Sequence, residues 1–379
     1  MPYCDHNATA PLRPQAREAV ERALSLTGNP SSVHAGGRAA RAMVEEAREA
    51  VARLAQAKSE AVIFTSGATE ANALALWGAV EAAADVGKPI TRLLISAIEH
   101  KSLLKTAEAI GERGHIGLDI VPVTADGVVD IEALARLLPG EGRALVAVMA
   151  ANNETGVVQP IAEVSRLCRE AGALLLVDAV TAAGKIAIDA GLCGYLTLSG
   201  HKLGAPQGVG ALIVGDSAPL APQLVGGGQQ KGLRAGTENL SGIAGFGAAA
   251  KVALSNDDER NRLAVLRDHF ERVLKESLAQ AVIIGANALR LPNTSNIALP
   301  GLSAEKIVIA LDLDGVMVSS GSSCSSGKIS TSHVVAAMGM NDLSSIRVSF
   351  GWNSQPEDAD AVVASLVKLW QRAQSRAAA

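Results

Sequence analysis

The chain has 379 residues, 48% of them hydrophobic, and 34 Lys and Arg against 38 Asp and Glu give a formal net charge of -4. That length exceeds what one ordinary core encloses and suits a large domain beside a smaller one. The charges are spread through helical segments with no basic run able to follow a phosphate backbone, so nucleic acid is excluded as an expected partner.

The opening "MPYCDHNATAPLRP" lacks the basic and apolar regions of a secretory signal, and no apolar run approaches the roughly 18 to 20 residues of a membrane span. A cytoplasmic protein with no membrane partner is expected. Cys4, Cys168, Cys193 and Cys324 lie far apart without a C-x-x-C pair, which suggests neither a disulfide framework nor a zinc site, and no metal is expected.

In chain order, "PQAREAVERALSLTG" (14–28) has proline at its start and glycine past its end, the asymmetry of a helix. "GRAARAMVEEAREAVARLAQ" places Ala40, Val44, Ala47, Val51 and Leu54 on one stripe of a second helix. A βα rhythm follows, with strand-like runs at "AVIFT" (61–65), "RLLIS" (92–96), "ALVAVMA" (144–150), "ALLLVDA" (173–179), "YLTLS" (195–199) and "VGALIV" (209–214). Nearly continuous apolar strands alternating with helices predict a mostly parallel sheet covered on both faces, with ligands at the carboxyl ends of its strands. From about residue 253 a charged helix, "DDERNRLAVLRDHFERVLKESL", leads into strands at "TSNIALP" and "IRVSF" and helices near 303–313, 331–338 and 356–374, a smaller α+β domain. The expected division is an N-terminal arm (1–15) against the small domain, a large domain (16–253) and a small one (254–379).

The strand ends carry the chemistry. "SGATEAN" leads from a strand into a helix and brings small residues and Thr69 to its N-terminus, as a phosphate cradle does; Thr69 reads equally as a simple N-cap. His100 and Asn153 follow two further strands, Asp178 closes "LLLVD", and Ser199, His201 and Lys202 close "YLTLSGHK". Each alone reads as an ordinary strand end. Together they supply what pyridoxal phosphate requires: a lysine for its Schiff base, an acid for its pyridine nitrogen and donors for its phosphate.

The blocks "DHNAT", "GNPSSVH", "FTSGATEAN", "NNETG", "VDAV", "SGHKLGAPQGVGAL", "GGGQQKGLRAGTEN", "SSGSSCSSG" and "IRVSFG" occur in the order seen in cysteine desulfurases of the NifS/IscS-like kind, within the class V aminotransferase group. The chain resembles that family from residue 5 to about 353. The resemblance implies an α/β fold of the type I pyridoxal-phosphate transferases, a large mostly parallel sheet domain with a smaller α+β domain, working as a homodimer. It implies that Lys202 holds the cofactor, Asp178 keeps the pyridine nitrogen protonated, and His100 stacks on the ring and handles substrate protons. Asn153 would lie near the phenolic oxygen and substrate. Ala68, Thr69, Ser199 and His201 would hold the phosphate, joined by Thr237 from the partner subunit, while Asn29 and Arg347 would face the substrate. Without the resemblance, Arg347 reads as a surface salt bridge.

The implied reaction takes sulfur from L-cysteine, leaves L-alanine, and forms a persulfide on Cys324 for an acceptor such as an iron-sulfur scaffold. Cys324 lies in "SSGSSCSSG" (319–327), whose flanks offer no apolar packing; five extended residues from Ser319 reach about 16 to 18 Å, so the stretch (319–330) reads as a delivery arm. Three departures stand out. Thr181 replaces the family's usual cofactor-contacting glutamine. An alanine and acid pair is missing before "YLTLS". Gly200 and Ala205 stand where alanine and glycine are usual. Other readings are a selenocysteine lyase or aminotransferase of the same fold, a non-catalytic binding module, and a redox-sensing role for Cys324.

Overall fold

The computed structural model describes residues 1–114, 116–320 and 332–377, and Cys324 lies outside them. The helices α1 (Pro14–Leu24) and α2 (Ala35–Leu54) come first. Then follow β1 (Val62–Thr65), α3 (Ala68–Asp85), β2 (Ile90–Ser96), α4 (Lys101–Gly114), β3 (Gly117–Val121), α5 (Ile131–Leu137), β4 (Arg143–Ala147), α6 (Ile161–Glu170), β5 (Leu174–Asp178), β6 (Tyr195–Ser199) and β7 (Gly210–Val214). The remainder is α7 (Leu240–Leu254), α8 (Asp257–Ser277), β8 (Val282–Ile284), β9 (Thr294–Ala298), α9 (Ala304–Leu313), β10 (Ser319–Ser320), α10 (His333–Ala337), β11 (Ser345–Ser349) and α11 (Pro356–Ala377).

Among the described residues the first sheet runs β1-β7-β6-β5-β4-β2-β3. Strands β3, β2, β4, β5 and β6 pair in parallel, and β7 is antiparallel to both β6 and β1. Two antiparallel steps restore direction, so β1 ends on the same edge as β2, β4, β5 and β6. β5 and β6 are buried at every position, as the runs "LLLVD" and "YLTLS" require of central strands covered on both faces. The stripe Ala40, Val44, Ala47, Val51 and Leu54 is buried, and α2 packs with α1 against α7. A Cβ on Gly247 would come within 2.5 Å of Ala47 Cα, so only glycine lets these two helices approach so closely.

The second sheet, β10-β11-β9-β8, is antiparallel throughout. Its core joins Leu263, Leu266, Phe270 and Leu274 of α8 to Ile346 and Val348 of β11 and Val362 and Leu366 of α11. Phe270 meets Phe350 edge-on at 5.9 Å, an arrangement aromatic quadrupoles favour. Residues 3–6 run along this sheet: Tyr3 bridges Met317, Asp5 bridges Ser349, and Cys4 is buried in the same core.

Four elements escaped the sequence reading for physical reasons: β8 and β10, the latter at the start of the stretch read as an arm, are only three and two residues long, too short for a period to show. β3 is a sheet edge with only Val121 buried, so its apolar signal is weak. α7 has no polar face from which a helical period can be read.

Candidate active site

A cavity of about 700 Å³ opens at the carboxyl edge of the first sheet and is lined as well by Ser319 and Ser320 of β10 and Arg347 of β11. Asp178, the last residue of β5, lies on its floor and is 5% exposed. Its Oδ1 accepts the Val180 N–H at 3.0 Å and its Oδ2 accepts Asn72 Nδ2 at 3.0 Å. Both donors are uncharged, which leaves a buried carboxylate suited to a cationic group brought by a ligand.

Lys202 follows β6 after a single tight turn. Its ammonium donates to the main-chain oxygens of Asn7 and, at 2.8 Å, of Ala8. Burial, reinforced by the Arg347 charge, lowers its pKa to about 8, against the pull of Asp5 and Asp178. An amine so tuned reaches its nucleophilic form near neutrality. The departures at 200 and 205 are neighbours in this turn: a Cβ on Gly200 would lie 2.9 Å from Val209 Cγ1, 3.1 Å from the Ala205 Cβ and 3.2 Å from Phe246 Cγ, so the Ala205 methyl is one of three groups that crowd position 200.

Gly67 caps α3 with no side-chain hydrogen bond, so Thr69 stands inside the first turn and the simple N-cap reading falls. The Thr65 hydroxyl donates to Gly67 O at 2.9 Å, and Glu70 Oε2 accepts the Ser66 N–H at 2.8 Å. Ala68, Thr69, Ser199 and His201 all line the cavity beside this helix start. Gly210 is needed here, since its Cβ would sit 2.6 Å from the Gly67 carbonyl carbon. Burial and the neighbouring Lys202 charge push His201 down to about 4, so it faces the cavity as a neutral ring, with Nδ1 3.1 Å from Thr9 Oγ1.

The opposite wall holds His100, Asn153, Glu154 and Arg347. Burial lowers the His100 pKa and Asp178 partly restores it. Asn152 builds the turn beside it: its Oδ1 accepts the N–H groups of Glu154 and Thr155, each at 2.9 Å, a local bonding pattern asparagine favours. Arg347 comes from β11, pairs with Asp5 at 2.7 Å and donates to Asn153 O at 3.0 Å, while its Nε is buried with no partner among the described residues. Burial pushes Glu154 up to about 7 against a hydrogen bond from the Ser332 hydroxyl at 2.5 Å.

The profile of the class V aminotransferases matches residues 2–362. The chain is 37% identical to cysteine desulfurase IscS of Dictyoglomus turgidum over 98% of its own length and 94% of the relative's. It is 42% identical to a cysteine desulfurase of Cereibacter sphaeroides over 89% of its length and 86% of the relative's. The solved structure of a NifS-like protein from Rickettsia africae superposes with a TM-score of 0.87 at 32% identity, covering 98% of this chain and 99% of that one.

The chain belongs to the cysteine desulfurase family.

As a desulfurase-family chain it gathers Ala68, Thr69, His100, Asn153, Asp178, Thr181, Ser199, His201, Lys202 and Arg347 around one cavity. Asn29 and Thr237 are exposed and do not line it in the single chain; Asn29 Oδ1 instead accepts the Ser31 N–H at 2.9 Å. Thr181, in the glutamine's place, is buried, and its carbonyl accepts Lys185 Nζ at 2.7 Å. Sequence reasoning missed Lys101, His333 and Gln207 in the lining, and Asn72 behind it. His333 follows the serine and glycine stretch and gave no local signal. Asn72 had one, the three-residue spacing from Thr69 that places both near one face of a helix.

Proposed function

We propose that this member of the family removes sulfur from L-cysteine with pyridoxal phosphate, leaving L-alanine and a persulfide on Cys324. The observation that carries the reading is the convergence, on one cavity, of an amine with lowered pKa, a buried carboxylate lacking a cationic partner among the described residues, and a helix start without a side-chain cap. These donors fit the cofactor: Lys202 would hold it covalently, Asp178 its pyridine nitrogen, and Ala68, Thr69, Ser199 and His201 its phosphate. When bound, the cofactor supplies an electron sink for negative charge at the substrate Cα.

Lys202, a free base once its site is above about pH 8, takes and returns the proton at Cα. Arg347, anchored by Asp5 and the Asn153 carbonyl at the cavity wall, orients the substrate carboxylate, and Asn153 flanks it. His100, neutral at physiological pH, exchanges protons with substrate groups. Cys324 as thiolate attacks the substrate sulfur: the S–S bond forms, the C–S bond breaks, and its electron pair goes to substrate Cβ, which is then protonated. The proposal extends to a homodimer, with Thr237 serving the partner's cofactor, and to an acceptor protein such as an iron-sulfur scaffold. No helix among the described residues is long and apolar enough to cross a membrane.

Incubation of the purified chain with pyridoxal phosphate, cysteine and reductant is expected to yield alanine and sulfide in equal amounts. Lys202→Ala abolishes both. Alanine formation at the full rate by Cys324→Ala would overturn the persulfide route.

A further inference from the structure

Asn72 lies on α3, three residues after Thr69, and is 0% exposed. Its whole amide is engaged. Oδ1 accepts the Thr197 hydroxyl of β6 at 2.8 Å, and Nδ2 donates both to Asp178 Oδ2 of β5 at 3.0 Å and to Ser102 Oγ of α4 at 3.0 Å. A hydroxyl that receives that N–H has its own proton to give, and Ser102 Oγ stands 2.8 Å from His100 Nδ1. The Ser102 main-chain N–H donates to the same nitrogen at 3.1 Å. A main-chain N–H can only donate, so Nδ1 is the acceptor and the neutral ring carries its proton on Nε2.

We propose that Asn72 is a positioning residue that joins Asp178 to His100 through Ser102, fixing the carboxylate and the imidazole of this site relative to one another. The proposal rests on the reading of the cavity as a pyridoxal phosphate site for the importance of the pair, while the bonds themselves do not. On the Asp178 side, Asn72 provides one of the two hydrogen bonds that hold the carboxylate in place. On the His100 side, two donors on Nδ1 favour the neutral ring over the charged one. The charged and titratable groups acting on that ring are Asp178, which favours its protonation, and Lys202, His333 and Lys101, which oppose it. Of these, only Asp178 is hydrogen-bonded to Asn72 among the described residues, so removing the amide reaches the ring through the serine and through Asp178, and Ser102→Ala isolates the serine's part.

The test uses the full chain, with and without pyridoxal phosphate. In Asn72→Leu the Ser102 hydroxyl is free to turn its lone pair toward a protonated Nδ1, and in Ser102→Ala one donor to that nitrogen is gone. Both variants are expected to raise the His100 pKa, by roughly half to one unit, in histidine NMR titrations assigned with His100→Gln. Only Asn72→Leu is expected also to weaken pyridoxal phosphate binding, by roughly tenfold to a hundredfold as for other residues that orient a ligand-holding group; Ser102→Ala stays within about threefold. A Ser102→Ala chain whose His100 titrates as in the parent overturns the proposal, as does an Asn72→Leu chain that loses cofactor affinity with an unmoved His100. If the titrations shift as expected but cysteine yields no alanine, the functional reading fails and the role of Asn72 stands.

Discussion

Arg347 and Asp5 form an ion pair at 2.7 Å across the edge of the second sheet, with side chains only 6% and 20% exposed. The aspartate thus ties the N-terminal arm to the arginine proposed to receive the substrate carboxylate. Asp5→Asn leaves the guanidinium without its charged anchor and removes an anion that holds the Lys202 pKa up. The variant is expected to raise KM for cysteine roughly tenfold, equivalent to about 1.4 kcal/mol, and to lose roughly 3 kcal/mol of folding stability. Initial rates and urea melts check both; an unchanged KM contradicts the arginine's assigned role.

Lys202 makes stability depend on alkaline pH. Its pKa falls from 10.5 to about 8 on folding, so between those values the unfolded chain binds the extra proton. Stability therefore rises with pH across that window, by roughly 2–3 kcal/mol from this residue. Urea midpoints of the cofactor-free chain at pH 7.5 and 10 are expected to differ by less in Lys202→Met than in the parent. Equal slopes would show that the amine is not desolvated.

Glu154 acts with the opposite sign. Its pKa rises from 4.5 to about 7 on folding, so the folded chain holds the extra proton between those values, and the stability this contributes below pH 4.5 is lost as pH climbs through 7. Glu154→Gln keeps an acceptor for the Ser332 hydroxyl without the buried charge. It is expected to be more stable than the parent at pH 8 by roughly 2–3 kcal/mol and nearly equal to it at pH 4.5. Equal stabilities at pH 8 would sink this account.

In the turn that carries Lys202, the methyl group of Ala205 is one of the three groups, with Val209 and Phe246, that a Cβ at position 200 would crowd. Gly200→Ala alone crowds Val209 and Ala205, at a cost of roughly 1–3 kcal/mol. Ala205→Gly alone leaves a gap. The double variant is expected to recover the part of the loss that Ala205 causes, a coupling of roughly 0.5–1 kcal/mol in a double-mutant cycle, while the contacts with Val209 and Phe246 persist. Strict additivity would mean that the two departures from the family pattern are unrelated.

The sequence made the first sheet legible because β5 and β6 are long apolar runs ending in polar residues, which is how a central parallel strand must read. The same rule placed Asp178, Ser199 and Lys202 near one another before any coordinates. What it missed acts at a distance along the chain or through fully buried polar contacts: Asn72 bridges three elements while looking like an ordinary helix residue, and His333 reaches the cavity from α10. Thr69 was ambiguous for a different reason. A threonine near a helix start caps or lines a cavity depending on a shift of two residues in the boundary, and the boundary falls at Gly67.

Mass analysis of the holoenzyme after brief exposure to cysteine, without reductant, reads sulfur transfer to Cys324 directly. One added sulfur atom is expected on the peptide containing Cys324 in the parent chain, and none there in Lys202→Ala. Alanine released with no sulfur on that peptide, or sulfur acquired equally without Lys202, would contradict that expectation.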